Sequence, residues 1–485
     1  MTFTSAFFLF FVVLTLLIFG PTRNPSFRRV VILSANVLFY LSLLDTPRSG
    51  WAFLGFVSLG YVCVCLVPVN RRLPLVALGV VLVVGTFIVL KRYFTLGALI
   101  PIYPTYAVIG LSYVLFRILH LLVDRAQGMV PERPTPLGYA AYVAFFPALL
   151  SGPIHDYAEF NAALAPAVLS RDFPGAAVRL VRGLFKIIVV APICLQMFLA
   201  FSSHVIPGQT AIGLARWDLL PHLPLWAATS MAASTYAVFL FFNFAGYTDM
   251  AIAVAMFFGV RLPENFDRPF RARNVAEFWS RWHMSLSAWF QTYFFNPMVA
   301  RLTSWFPQRR AAAPISLLSI FVGFLVIGVW HGSTGVYVYY GLYLGAAATL
   351  HRAYQLALIR WLGRPGYKRL TQNRVYAQFC VGLTFAYFAT ALVCFWMDAA
   401  QLQALGHRLG PLAALSSFGS VTVVSSMLLL PLNFIGDKLH QAAIPIRTLT
   451  PAFWLQQAAL AGEVVLVLFC NTMFDSAPGF VYQAF

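Results

Sequence analysis

Long apolar runs, separated by short polar, basic or proline-bearing breaks, fill almost the whole chain. A helix that crosses a bilayer needs about 20 mostly apolar residues. Runs approaching that length lie at Ser5–Gly20, Val30–Leu44, Ala52–Val67, Leu75–Leu90, Leu99–Val123, Ala177–Phe201, Leu225–Val260, Ile315–Trp330, Val336–Leu350, Ala377–Trp396, Ala413–Leu432 and Phe453–Cys470. They predict an all-α polytopic membrane protein with about 12 membrane helices, residues 1–485 forming a single membrane-embedded domain. A further run, Tyr139–Leu150, is short for a span and ends in Ser151, Gly152 and Pro153. It reads as a re-entrant or partly inserted helix.

Composition agrees with the pattern. The 485 residues are 60% hydrophobic and 10% charged, against about 25% charged in a soluble domain. The mean hydropathy is +0.78. The net charge of +18 sits in short Arg and Lys clusters between the apolar runs. That distribution marks positive-inside topology and contact with anionic membrane lipids. No nucleic-acid partner is expected. Arg23, Arg28 and Arg29 follow the first run, Arg71 and Arg72 the third, and six Arg or Lys residues lie in a predicted loop at His351–Arg374. With these loops cytoplasmic, both termini are extracytoplasmic, although Lys91 and Arg92 run against the rule. The first run lacks the basic start and small-residue cleavage site of a secretory signal and reads as a span. The cysteines (Cys63, Cys65, Cys194, Cys380, Cys394, Cys470) all lie in apolar stretches without metal-type spacing and read as packing residues.

One stretch breaks the pattern. From Arg261 to Arg310 the chain turns polar and aromatic, and Pro263 and Pro269 forbid a regular helix at its start. Val275–Asn296 then has helical spacing. Phe278, Trp282, Leu286, Trp289 and Tyr293 form one stripe, with Glu277 and Arg281 paired at i,i+4. A single amphipathic helix at the membrane interface is predicted.

Ionisable residues inside apolar runs are costly, which makes each a functional candidate. His331 closes an uncharged run between Gly328 and Gly332, beside Trp330. A neutral imidazole there can take a proton from a hydroxyl group; the plainer alternative is a packing residue at a helix end. His283 lies beside Trp279, Arg281, Trp282, Ser285 and Ser287, where an ordinary aromatic belt is the alternative. Arg117, His120 and Asp124 share one helix face and suit a buried structural network. Asn243, Tyr247 and Asp249 form the fourth group, Asp249 being a carboxylate that needs a cation or a raised pKa. No metal site is expected.

Taken in order, these segments resemble the membrane-bound O-acyltransferase family. They are similar to its bacterial branch of alginate O-acetylation and teichoic acid D-alanyl transfer proteins. Residues 278–289 resemble the family's signature helix, and Val329, Trp330, His331 and Gly332 its second signature. Residues 242–252, 262–266, 145–154 and 183–186 match further segments. Two departures stand out. Asn243 replaces the Asp of many relatives, and Phe294, Phe295, Asn296, Pro297 and Met298 replace a Gly-rich segment.

The resemblance implies a ring of tilted helices around a central tunnel, with His331 and His283 as the catalytic histidines. Trp330, Gly332, Asn243, Asp249, Trp279, Arg281, Trp282, Ser285 and Ser287 become candidate substrate or tunnel residues. It further implies acyl transfer, acetyl first and D-alanyl second, from a cytoplasmic thioester donor to an extracytoplasmic polysaccharide or cell-wall glycan. The donor is acetyl-CoA or an acyl carrier protein, with no tightly bound cofactor. The implied partners are an extracytoplasmic acyl-handling protein and, for D-alanyl transfer, a cytoplasmic carrier protein. The implied location is the bacterial cytoplasmic membrane. A transporter or flippase for a lipid-linked intermediate is the competing class, but inverted repeats with broken helices in both halves are not found in the sequence. A non-catalytic scaffold is a third.

Overall fold

The computed structural model describes residues 4–44, 46–69, 73–93, 108–165, 172–206, 222–442 and 451–473. The predicted run Leu99–Val123 therefore lies partly outside the described residues. Helices account for nearly all regular structure, in the order α1 (Ala6–Phe19), α2 (Pro25–Leu41), α3 (Pro47–Leu66), α4 (Leu73–Lys91), α5 (Leu111–Ala126), α6 (Pro136–Val143), α7 (Tyr157–Ala163), α8 (Phe173–Phe185), α9 (Ala191–Val205), α10 (Leu225–Phe257), α11 (Val275–Trp279), α12 (Met284–Phe290), α13 (Asn296–Trp305), α14 (Ala312–His331), α15 (Val336–Gln372), α16 (Arg374–Ala391), α17 (Ala399–Ala442) and α18 (Pro451–Met473). Among the described residues, seven helical segments are long and apolar enough to cross a membrane, and the apolar helices Ala6–Phe19 and Ala458–Cys470 are shorter. The chain is an all-helical membrane protein.

Helix starts follow simple local chemistry. Asn24, Thr46 and Thr135 each accept a hydrogen bond from a first-turn amide, and each is followed by proline. The side-chain cap satisfies an orphan donor and proline supplies a preset φ where no N–H is needed. Outward faces stay apolar. Phe7, Phe10 and Leu17 of α1 are exposed while Phe8, Val12 and Phe19 are buried, an arrangement that water would penalise and lipid does not.

The chain divides into two compact units. The first comprises Met1–Leu184, Phe244–Asn265 and Gly479–Phe485, and the second Phe185–Asn243 with Phe266–Pro478. In the first unit, the predicted re-entrant stretch is a two-turn α6 followed by a 3-10 turn at Phe146–Ala148. Its irregular backbone is held by buried polar side chains from neighbouring helices. The Arg117 guanidinium donates to the carbonyls of Val143, at 2.8 Å, and Ala148. Asn36 donates to Ala141 O (3.0 Å) and accepts from Phe146 N (2.8 Å). In the other direction, the Tyr139 hydroxyl of α6 donates to Val57 O of α3 at 2.9 Å. Arg125 does the same for the end of α3 and the loop after α5, donating to Val67 O and Glu132 O respectively. Non-helical backbone at membrane depth requires such internal partners. Arg117 thus serves main-chain carbonyls, and Asp124 meets His120 at 2.8 Å.

In the second unit, α14 and α15 pack through glycines. A methyl group on Gly328 would sit 2.1 Å from Gly341 Cα, and one on Gly341 2.7 Å from Leu325 O. Small residues at helix crossings let backbones touch where lipid offers no hydrophobic drive. The α16–α17 pair adds polar links, with Gln378 donating to Ser426 O (2.6 Å) and Ser425 to Gly382 O (3.3 Å).

Two expectations are corrected. The basic stretch His351–Arg374 is not a loop but mostly helix, because α15 continues to Gln372 with a kink at Gly363 (φ 69°). Its Arg, Lys, Leu and Gln residues are good helix formers, and the break falls where Gly363 and Pro365 put it. Residues 275–296 are not one helix either. They divide at Ser280–His283, and α12 restarts from a left-handed His283.

The buried guanidinium is testable. Replacing Arg117 with Met leaves two carbonyls unsatisfied at about 1–3 kcal/mol each. The melting temperature of the detergent-solubilised protein is expected to fall by several degrees, with Arg117→Lys intermediate.

Candidate active site

His331 is the last residue of α14 and is 3% exposed. Its imidazole lies in a box of rings, with centroids 4.8 Å from Trp330, 5.5 Å from Tyr340 and 5.3 Å from Phe395. Gly332 follows in an extended conformation open to any residue. Glycine is required there for another reason: a methyl group would sit 2.1 Å from the Tyr337 ring. The close approach of Tyr337, whose ring also meets Phe395 at 5.7 Å, closes the box beside the histidine. An imidazole shielded in this way lies in a water-poor setting, which suits a candidate general base.

His283 is built differently. The bridge of Phe266 to Trp282 and the hydrogen bond from Asp267 N to Arg281 O (3.0 Å) lay the proline-bearing segment against the end of α11. Arg281 holds that junction from outside, donating to Asp267 Oδ2 (2.9 Å) and to Glu277. Trp282, 2% exposed, packs on Phe266, Phe278 and Phe388. His283 then takes φ 46°, ψ 53° and is 1% exposed. A left-handed conformation costs a non-glycine residue about 1–2 kcal/mol, and such strain concentrates at functional sites. Burial holds this imidazole neutral, with its pKa pushed down to about 3.

The remaining candidates divide among these surroundings. Trp279 donates to the Tyr387 hydroxyl at 3.2 Å and its ring meets Phe324 at 5.3 Å. Phe324 stands seven residues before His331 on α14, a rise of about 10 Å, so the segment of His283 and the helix of His331 share a packed wall. Ser285 is buried in α12, and Ser287 donates its hydroxyl to Trp282 O at 3.4 Å. Asn243 is fully buried in α10 and closes a segment of the second unit. Asp249 belongs to the first unit, where Arg179 holds it at 2.9 Å and also clasps Glu264 at 2.6 Å. Tyr337, Tyr340, Phe395 and Tyr387 escaped the sequence reading. Only their aromatic character within apolar runs marked them, and that signal is shared by many packing residues.

The neutral, buried His283 makes stability depend on pH. Above the ordinary histidine pKa of about 6.5 both states are neutral and the group contributes no pH dependence. Below it the unfolded chain gains a proton that the folded site refuses until about pH 3. Stability is therefore lost as pH falls through this window, by up to about 1.4 kcal/mol per pH unit. His283→Asn keeps a side chain tolerant of the left-handed backbone. Thermal melts from pH 7 to 4.5 are expected to show a shallower loss for this variant than for the wild type, and parallel curves would refute the assignment.

A profile of the MBOAT, or membrane-bound O-acyltransferase, family matches residues 113–397 and so contains both histidines. The chain is 32% identical to the teichoic acid D-alanyltransferase of Bacillus subtilis over 290 residues, covering 59% of this chain and 67% of that protein. It is 25% identical to the probable alginate O-acetylase of Pseudomonas syringae pv. tomato over 388 residues, 74% of this chain and 69% of that one. Against the peptidoglycan O-acetyltransferase of Helicobacter pylori the identity is 32% over 226 residues, 46% and 38% of the two chains. The chain thus spans about two thirds of the first two relatives and less of the third. With a profile match over more than half its length, on an all-helical membrane fold, the chain belongs to the membrane-bound O-acyltransferase family.

Proposed function

We propose that this protein transfers an acetyl group from a cytoplasmic thioester donor, acetyl-CoA or an acyl carrier protein, to hydroxyl groups of an extracytoplasmic polysaccharide or cell-wall glycan. The observation that carries the reading is the ring-lined burial of His331 at the end of α14. In this scheme the acceptor oxygen attacks the thioester carbonyl while His331 removes the hydroxyl proton. The new O–C bond forms, the C–S bond breaks, and the leaving sulfur takes the proton from the imidazolium. The acceptor is the glycan itself or a relaying hydroxyl of an extracytoplasmic acyl-handling partner. His283, neutral in its site, positions the donor. Asn243 and Trp330 are the candidate donors to the oxyanion of the tetrahedral intermediate. In this reading the protein works in the bacterial cytoplasmic membrane with both termini outside, as the Arg clusters that follow the first and third apolar runs favour.

A second reading is D-alanyl transfer from a cytoplasmic carrier protein to a teichoic-acid-like polymer. The 32% identity to the Bacillus subtilis D-alanyltransferase favours it. Mass analysis of surface glycans from cells with and without the protein separates the two by the group that is missing. Loss of a positioned general base costs about 10²–10⁴-fold in rate. His331→Ala is therefore expected to remove detectable acylation while the protein still accumulates in the membrane. Acylation near the wild-type level in that variant would sink the proposal.

A further inference from the structure

The first unit contains a second cluster of chemistry-bearing side chains, remote in sequence from both catalytic histidines. His120 and Asp124 lie one turn apart on α5, and the fold brings Asp156, the residue before α7, to the same point. His120 Nε2 is 2.8 Å from Asp124 Oδ2 and 3.4 Å from Asp156 Oδ2. One ligand atom from each of the three residues lies within 4.8 Å of the others. Asp124 is buried, and the Asp156 side chain is 32% exposed.

We propose that His120, Asp124 and Asp156 bind a divalent transition-metal ion, Zn²⁺ or Mn²⁺. Three observations support the site. Both carboxylates converge on the same imidazole nitrogen, which carries at most one hydrogen and so serves only one short hydrogen bond fully. An ion accepts all three donors at once. The two spacings from His120, 2.8 and 3.4 Å, also fit. Ligands about 2.1 Å from a common ion lie about 3.0 Å apart at octahedral and about 3.4 Å at tetrahedral edges. The third observation is orientation. Asp156 Oδ1 accepts from Ala158 N (2.6 Å) and Glu159 N (3.1 Å), which turns Oδ2 toward His120. Ligating carboxylates are commonly fixed by such outer hydrogen bonds.

Charge and softness select the ion class. Two carboxylates with a neutral imidazole carry −2, which a divalent ion neutralises in full, whereas a protonated imidazole between them would offset only half of it. One imidazole with two carboxylates suits Zn²⁺ or Mn²⁺ better than the all-oxygen ligation of Ca²⁺ or Mg²⁺. Bound there, the ion ties α5 to the start of α7 across the non-spanning stretch. Its role is to staple the first unit, independent of the acyl-transfer reading.

The test uses the full-length protein in detergent, equilibrated with micromolar Mn²⁺ or Zn²⁺ and desalted, with metal content measured by mass spectrometry and melting temperature read in parallel. About one ion per chain is expected in the wild type, with a melting temperature that rises on metal addition and falls on chelation. Asp156→Asn retains a good helix cap, so the loop stays formed. It and Asp124→Asn are expected to lower retained metal at least tenfold and to abolish the melting response. A wild type that retains no ion and shows no response overturns the proposal. Equal retention by wild type and both variants also overturns it, because the ion would then bind elsewhere.

Discussion

The governing constraint is that a peptide group inside a bilayer has no water to fall back on. Every carbonyl and amide outside a helix must find a partner within the protein, at a cost of several kcal/mol when it does not. A bundle of uninterrupted helices meets this automatically, but such a bundle has no site. This protein interrupts its helices in places and supplies the missing partners with side chains. Arg117, Asn36 and Arg125 donate to carbonyls around the short α6 and the loop before it. The few charges in the first unit therefore hold an irregular backbone in place. Each has a second cost, its own burial, which the carbonyl dipoles offset.

The same constraint shapes the second unit through sterics. Helix association in lipid has little hydrophobic drive, so backbones must come close enough for dispersion to act. Gly328 and Gly341 achieve this for α14 and α15. That contact lies one turn from His331, and the close packing carries the Tyr340 ring onto the imidazole. A packing device and the surroundings of the proposed base are thus the same stretch of chain. Bulk at Gly328 would part the helices, and bulk at Gly332 would displace Tyr337.

His283 and His331 are placed by opposite means. His331 sits at the end of a long regular helix, rigid because the helix is packed. His283 occupies a strained backbone position, fixed by the Trp282 cluster and the Arg281 ion pairs around it. The proposed acyl transfer would use the rigid helix end as its fixed base and the strained junction to shape the donor site. The chain belongs to a family whose relatives include D-alanyl- and acetyltransferases.

The sequence by itself determined the solvent and the fold class, and it singled out the two candidate histidines. Apolar length and charge scarcity are local properties, and the order of the aromatic and histidine segments is written along the chain. It also determined that residues 261–270 are not a regular helix, because proline acts on its own neighbours. Only the tertiary structure decided the rest. Residues 275–296 read as one helix since no Gly or Pro lies between Val275 and Asn296, yet packing of Trp282 against Phe266 and Phe388 outweighs that propensity and turns His283 left-handed. The rings around His331 come from residues up to 64 positions away. Asp156 reaches His120 only because the folded α6 segment returns the chain to α5. Contacts of this kind depend on which surfaces meet, and no local pattern of hydrophobic and polar residues encodes that meeting.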